Sequence, residues 1–139
     1  MSISAEAESL MIERFGHDGI LSLATSAKDI PSVRYVNAFY DDGAFYVLTY
    51  ALSGKIRQIG ENPNVALAGD WFTARGEGVN LGFFGREENQ EIAEKMKRVF
   101  AEWIGNGHSD LSDENTVILK IRLTTGVLMS HGTRYDLVF

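Results

Sequence analysis

The 139-residue sequence has no cysteine. That absence excludes disulfides, thiolate metal sites and thiol catalysis together, and it fits a reducing cytosol. Basic residues are scarce too: 13 Lys and Arg stand against 19 Asp and Glu, a formal net charge of −6. Such a surface lacks the basic footprint that nucleic acid or an anionic membrane requires, so an anionic ligand has to be met locally. Long apolar runs are missing as well. None approaches the ~18 residues of a membrane-spanning helix, and the opening "MSISAEAESLMIERF" carries glutamates where a signal peptide carries basic residues. The chain is therefore expected to be soluble, unexported and cytoplasmic. Only two prolines occur, and no linker, repeat or low-complexity segment interrupts the chain. With 45% hydrophobic residues, it reads as one domain over 1–139, able to bury roughly two thirds of its unfolded surface.

What is present is mostly β pattern with helical punctuation. Ala7, Leu10, Met11 and Phe15 repeat at helical spacing behind Glu6 and Glu8, with Gly16 placed to end the helix. "GILSLATS" alternates like a strand, and residues 29–31 turn the chain. "SVRYVNAFY" and "AFYVLTY" flank Asp41, Asp42 and Gly43 as an antiparallel hairpin. "NVALAGDWF" and "EGVNLGFF" read as two more strands whose glycines mark bends. "REENQEIAEKMKRVFAEWI" is the long helix, with Ile92, Met96, Val99, Phe100 and Trp103 on one face. "TVILKIRLTTGVLMS" and "TRYDLVF" supply two closing strands around residues 124–126. Six or seven strands, an opening helix, a one-turn helix in the middle and a longer one late predict a mainly β fold, a small antiparallel barrel with flanking helices.

The chemistry concentrates in residues 48–67, "LTYALSGKIRQIGENPNVAL". Ser53 occupies an N-cap position before Ile56 and Ile59, so its hydroxyl and the first free amides of the helix, beginning at Gly54, converge on one point. Lys55 puts a cation in the first helical turn, where the helix dipole disfavours it unless an anion offsets the cost. Arg34 lies in the strand before the hairpin. Full antiparallel pairing of the two hairpin strands would bring it close to Thr49 and the Ser53 turn. An arginine fork, a lysine, two hydroxyls and a helix N-terminus at one corner suit a phosphomonoester dianion.

At these residues the sequence resembles the flavin-binding split barrels related to pyridoxamine 5'-phosphate oxidase. The likeness runs from "RYVNAFYDDGAFYVLTYALSGKIRQIGENPNVAL" through "GDWFTARGEGVNLG", with Arg34, Thr49, Ser53, Lys55, Asn62, Pro63 and Trp71 in register. It implies a six- to seven-stranded split barrel that binds FMN at a homodimer interface. Arg34 and Lys55 would lie on the phosphate, Ser53 and Gly54 at the turn, Tyr35, Val36 and Asn37 along the ring, and Leu48 and Thr49 beside it. An isoalloxazine needs backbone partners at its polar edge and apolar cover on its face, and Val36, Tyr35 and Leu48 offer that cover.

Departures from the pattern narrow the reaction. Gly54 and Phe39 stand where oxidases of pyridoxamine phosphate usually carry basic residues. Glu77, which the resemblance also implies as a cofactor contact, stands where they often carry a glutamine and brings an acceptor without an amide donor, and the chain ends at "SHGTRYDLVF" without their Trp- and Arg-bearing segment. True pyridoxamine-phosphate oxidation is therefore not expected. The resemblance implies an FMN-dependent oxidoreductase acting on a small molecule or electron acceptor, with NAD(P)H as a candidate donor. The alternatives are a flavin or deazaflavin storage module without turnover and a haem-binding split barrel. His17, His108 and His131 lack metal-ligand spacing, and only His131, near the C-terminal strands, is a candidate axial ligand for haem. Trp71 is either rim packing or cofactor cover, and Arg134 and Tyr135 are candidates to reach a partner subunit's flavin.

Overall fold

The computed structural model describes residues 3–107 and 109–139, so His108 lies outside the described residues. Helix α1 (Ala5–Phe15) opens with the Ser4 hydroxyl accepting from the Ala7 amide at 3.2 Å. Seven strands follow: β1 (Gly19–Ala27), β2 (Ile30–Asp41), β3 (Ala44–Tyr50), β4 (Asn64–Gly69), β5 (Phe72–Phe83), β6 (Thr116–Ser130) and β7 (Thr133–Val138). Helix α2 (Gly54–Glu61) joins β3 to β4, and a 3₁₀ turn (Glu87–Asn89) with helix α3 (Gln90–Val99) follows β5. All pairings are antiparallel. The sheet runs β3-β2-β1-β4-β5-β6-β7, and β3 also pairs with the first half of β6, closing a six-stranded barrel. β7 takes over beside the second half of β6 as the extra strand. The expected antiparallel split barrel with flanking helices is the fold observed.

Alternation sorts the side chains. Leu21, Leu23, Val36, Phe45, Val47, Leu119 and Ile121 fill the barrel, together with Ala7 and Met11 of α1. On the outer face of β2, β3 and β6, Phe39 and Ile118 form a second core with Met96, Phe100 and Ile104 from the α3 region. Burying side chains of this size contributes about 1.5–3 kcal/mol each. α2 covers one mouth of the barrel through Ile56 and Ile59. It approaches so closely that a Cβ on Gly78 of β5 would lie 2.9 Å from Ile59 Cγ2. The β2–β3 turn carries Asp42 at φ 45° and Gly43 at φ 80°, the left-handed pair that matches a strand's twist.

Several boundaries differ from the sequence pattern. The turn after β1 falls at Lys28 and Asp29, both at positive φ, so Pro31 lies inside β2. Trp71 at φ 54° turns the chain one residue early and hands Phe72 to β5, which then runs unbroken through residues 73–76. The middle helix has eight residues, more than one turn. The late helix is shorter than its apolar pattern, ending at Val99 with Phe100 as C-cap, although Phe100 and Ile104 continue its buried face. β6 continues through residues 124–126 with a shift of register at Thr124, opposite Arg75 and Gly76, and the closing turn sits at His131 and Gly132, both at positive φ. Among the described residues no helix is long and apolar enough to cross a membrane.

Candidate functional site

The expected Arg34–Thr49 corner forms, but by a different route. The β2–β3 ladder comprises only Phe39 with Tyr46, Tyr40 with Phe45 and Asp41 with Ala44. Beyond it the two strands part, β2 continuing along β1 and β3 along β6. That divergence is the split of the barrel, and α2 bridges its mouth. Arg34 pairs with Leu23 of β1 and so points to the inner face, in line with Val36. Its Nη1 donates to Thr25 Oγ1 at 2.7 Å and to the Leu23 carbonyl at 3.3 Å, and its Nη2 to Gln58 Oε1 of α2 at 3.2 Å. Lys55 Nζ donates to Thr49 Oγ1 at 3.0 Å.

The electrostatics are unusual for two half-buried cations. Burial holds the Arg34 guanidinium below its ordinary range. Burial first, and the neighbouring charge of Arg34 second, lower the Lys55 ammonium. All their hydrogen bonds go to neutral oxygens, and among the described residues neither forms a salt bridge. Ser53, two residues before Lys55, is the N-cap of α2, and its side chain makes no capping bond. Its Oγ is buried yet has no hydrogen-bond partner among the described residues. Such a group costs about 1–3 kcal/mol unless something satisfies it. Two cations with neutral partners, an unpartnered hydroxyl and the first amides of an eight-residue helix are groups whose chemistry suits an oxyanion.

The other sequence-predicted residues disperse. Gly54 is the first residue of α2 and is exposed, and a Cβ there would meet Arg57 Nη2 at 3.9 Å. Val36 is buried in the barrel core, so it offers the split its backbone and no side-chain cover. Tyr35 points outward and is 80% exposed. Asn37 also faces out, and its Nδ2 donates to Asp18 Oδ1 at 3.0 Å while Trp103 Nε1 donates to Asp18 Oδ2 at 2.9 Å. Leu48 packs against the second core. Glu77 stands apart from the cluster, its carboxylate paired with Arg122 of β6. Trp71 is 75% exposed at the β4–β5 turn, and His131 occupies the β6–β7 turn. Tyr135 donates to Glu6 at 2.8 Å and Arg134 pairs with Asp136, so both are engaged within this chain.

Two members of the cluster escape a sequence reading. Thr25 is 2% exposed and donates to Gln58 Oε1 at 2.5 Å, and Gln58 Nε2 donates to Ser32 Oγ at 3.0 Å. The available signals are positional: Thr25 follows Leu21 and Leu23 on the inward face of β1, and Gln58 falls three residues after Lys55 on the helix.

The family model described as pyridoxamine 5'-phosphate oxidase matches residues 12–129. No curated protein matches the chain. Among solved structures, general stress protein 26 from Bacillus anthracis strain Sterne is similar at 24% identity and TM-score 0.61, over 95% of this chain and 97% of that one. An FAD-binding protein from Mesorhizobium loti is similar at 18% identity and TM-score 0.63, over 91% and 94%. A haem-binding protein from Mycobacterium smegmatis is similar at 13% identity and TM-score 0.69, over 99% of this chain and 59% of that one. At these identities the likeness is one of fold.

Proposed function

The chain belongs to the pyridoxamine 5'-phosphate oxidase family, and from that premise we propose that it binds FMN by its phosphate and acts as a flavin-dependent oxidoreductase on a small molecule. The observation that carries the reading is the buried, unpartnered Ser53 hydroxyl beside two half-buried cations with neutral partners. A phosphate monoester would give that hydroxyl an acceptor, answer both charges and meet the first amides of α2. In this reading Arg34 and Lys55 hold the phosphate, Thr49 steers Lys55, and Gly54 leaves room at the turn. Residues 35–37 of β2 and Leu48 with Thr49 of β3 border the split where the ring would lie. The bound isoalloxazine supplies two-electron exchange between a donor and an acceptor.

Turnover of pyridoxamine phosphate itself is not part of the proposal. Gly54 brings no side chain to the mouth, and Phe39 is sealed in the second core, so neither reaches a second phosphate. Glu77 is left outside the site because Arg122 already holds its carboxylate. The fully formed site is proposed to lie in a homodimer. Val33 and Tyr35, 71% and 80% exposed, stand on the outer face of β2 beside the split. That face continues into an open groove of about 670 Å³ lined by Ala24, Val33, Ala66 and Val127 among others. A second copy would bury this surface and cover the ring from the other side.

The test is a titration of the purified protein with FMN and with riboflavin, followed by absorbance and fluorescence, with its mass measured by light scattering. Saturable FMN binding that exceeds riboflavin binding, in a dimer, supports the reading. Addition of NADH or NADPH to the loaded protein then separates an oxidoreductase from a storage module. A Soret band with added haem and no flavin binding would replace the flavin reading with a haem one.

A further inference from the structure

Resting on the FMN reading, we propose that Gln58 is a positioning residue that aims Arg34 at the phosphate and, by being a neutral amide, leaves the guanidinium charge available to it. A guanidinium has five donors and no acceptor. Nη1 spends both of its hydrogens on Thr25 Oγ1 and the Leu23 carbonyl, and Nη2 spends one on Gln58 Oε1. The second Nη2 hydrogen and Nε–H therefore remain for a ligand. The amide orientation follows from the same chemistry: facing a pure donor, Gln58 must present its oxygen, which sends its nitrogen to Ser32 Oγ at 3.0 Å. Thr25 closes the circuit, accepting from Arg34 at 2.7 Å and donating to the same Oε1 at 2.5 Å.

The network fixes a long side chain from three elements, β1, β2 and α2, and leaves two guanidinium hydrogens of Arg34 to be met. A carboxylate in place of the amide could make the same contact to Arg34, and would do so more strongly. It would also neutralise one of the two charges and repel an incoming dianion. Glutamine gives the orientation without that cost.

The experiment measures FMN and riboflavin affinity for the parent, Gln58→Leu and Gln58→Glu, each also in an Arg34→Ala background. The expected result is a loss of FMN affinity of about tenfold for Gln58→Leu and about a hundredfold for Gln58→Glu, with riboflavin affinity unchanged. In the Arg34→Ala background Gln58→Leu should have no further effect on FMN, whereas Gln58→Glu should still weaken FMN through its repulsion of the phosphate alone. A merely structural role would lower both flavins together, and the Gln58→Leu loss would persist without Arg34; either outcome overturns the inference. A parent that prefers FMN, with a preference that survives Gln58→Glu, overturns it alone. A parent that binds the two flavins equally overturns the phosphate reading and this inference with it.

Discussion

Helices α2 and α3 cover the same barrel and treat their charges in opposite ways. Around α3, Lys95 pairs with Asp41 at 3.1 Å, Lys97 with Glu94 at 3.2 Å and Arg86 with Glu88 at 2.5 Å. The buried Asn89 amide beneath it donates to the Leu81 and Phe83 carbonyls, both at 2.9 Å. At α2 the more buried cations, Arg34 and Lys55, face only neutral oxygens, and Ser53 Oγ faces none. Stability alone would arrange this the other way round, since a desolvated charge needs its partner more than an exposed one does. The α3 flank is organised for the folded chain itself. On the proposed reading, a bound phosphate completes the α2 mouth.

The largest predicted effect breaks the comparison at its centre. Replacing Arg34 and Lys55 together by Ala should weaken FMN binding by about 10²–10⁴-fold, since each charge-assisted hydrogen bond is worth about 1.5–3 kcal/mol. Replacing Lys95 and Lys97 together removes the same formal charge from the α3 flank, and isothermal titration should show FMN affinity within about threefold of the parent. Equal losses in the two double variants would mean that net charge, and not the mouth, governs binding.

How far the site could be read in advance follows the same division. Arg34, Thr49, Ser53 and Lys55 were legible because a cap, a first-turn lysine and a strand end sit within a few residues of one another, and the family pattern adds the arginine. They do not meet through the full hairpin ladder that the pattern predicts: the two strands pair only over residues 39–41 and 44–46, and α2 makes the connection. Thr25 and Gln58 were not legible, because a threonine in an alternating strand and a glutamine on a short helix carry no local signal of what lies opposite. Strand identities followed from alternation. Boundaries at Trp71 and His131 did not, since both are non-glycine residues at positive φ, which composition does not advertise.

A second, smaller effect is read from pH. The folded state holds the Lys55 proton less tightly than the unfolded state does, through burial first and Arg34 second. Below its folded pKa the charged lysine therefore costs stability, and the cost fades as pH rises through that value toward the ordinary lysine range. Without ligand, the parent should gain on Lys55→Met as pH goes from 7 to 10, by about 1–3 °C in Tm, a modest amount because the side chain is half exposed. With FMN bound the phosphate favours the charged lysine and offsets the burial, so the parent's gain on Lys55→Met over the same range should disappear. A difference in Tm that stays flat with pH in both states would remove Lys55 from the mouth's electrostatics.

The smallest effect is the sharpest control, because Glu77 is the one carboxylate at a position where the family pattern places a flavin contact. Its pairing with Arg122 lies at the surface, with 41% and 56% of the two side chains exposed, so Glu77→Ala should change stability by no more than about 0.5 kcal/mol in urea unfolding. FMN affinity should stay within about twofold, since the carboxylate is held by Arg122 while Arg34 points to the inner face of the barrel. A tenfold loss of FMN would instead make the carboxylate a ligand contact and require Arg122 to release it on binding. The mouth would then be a site with an acid of its own, and the contrast between α2 and α3 would reduce to a difference in how firmly each helix holds its carboxylates.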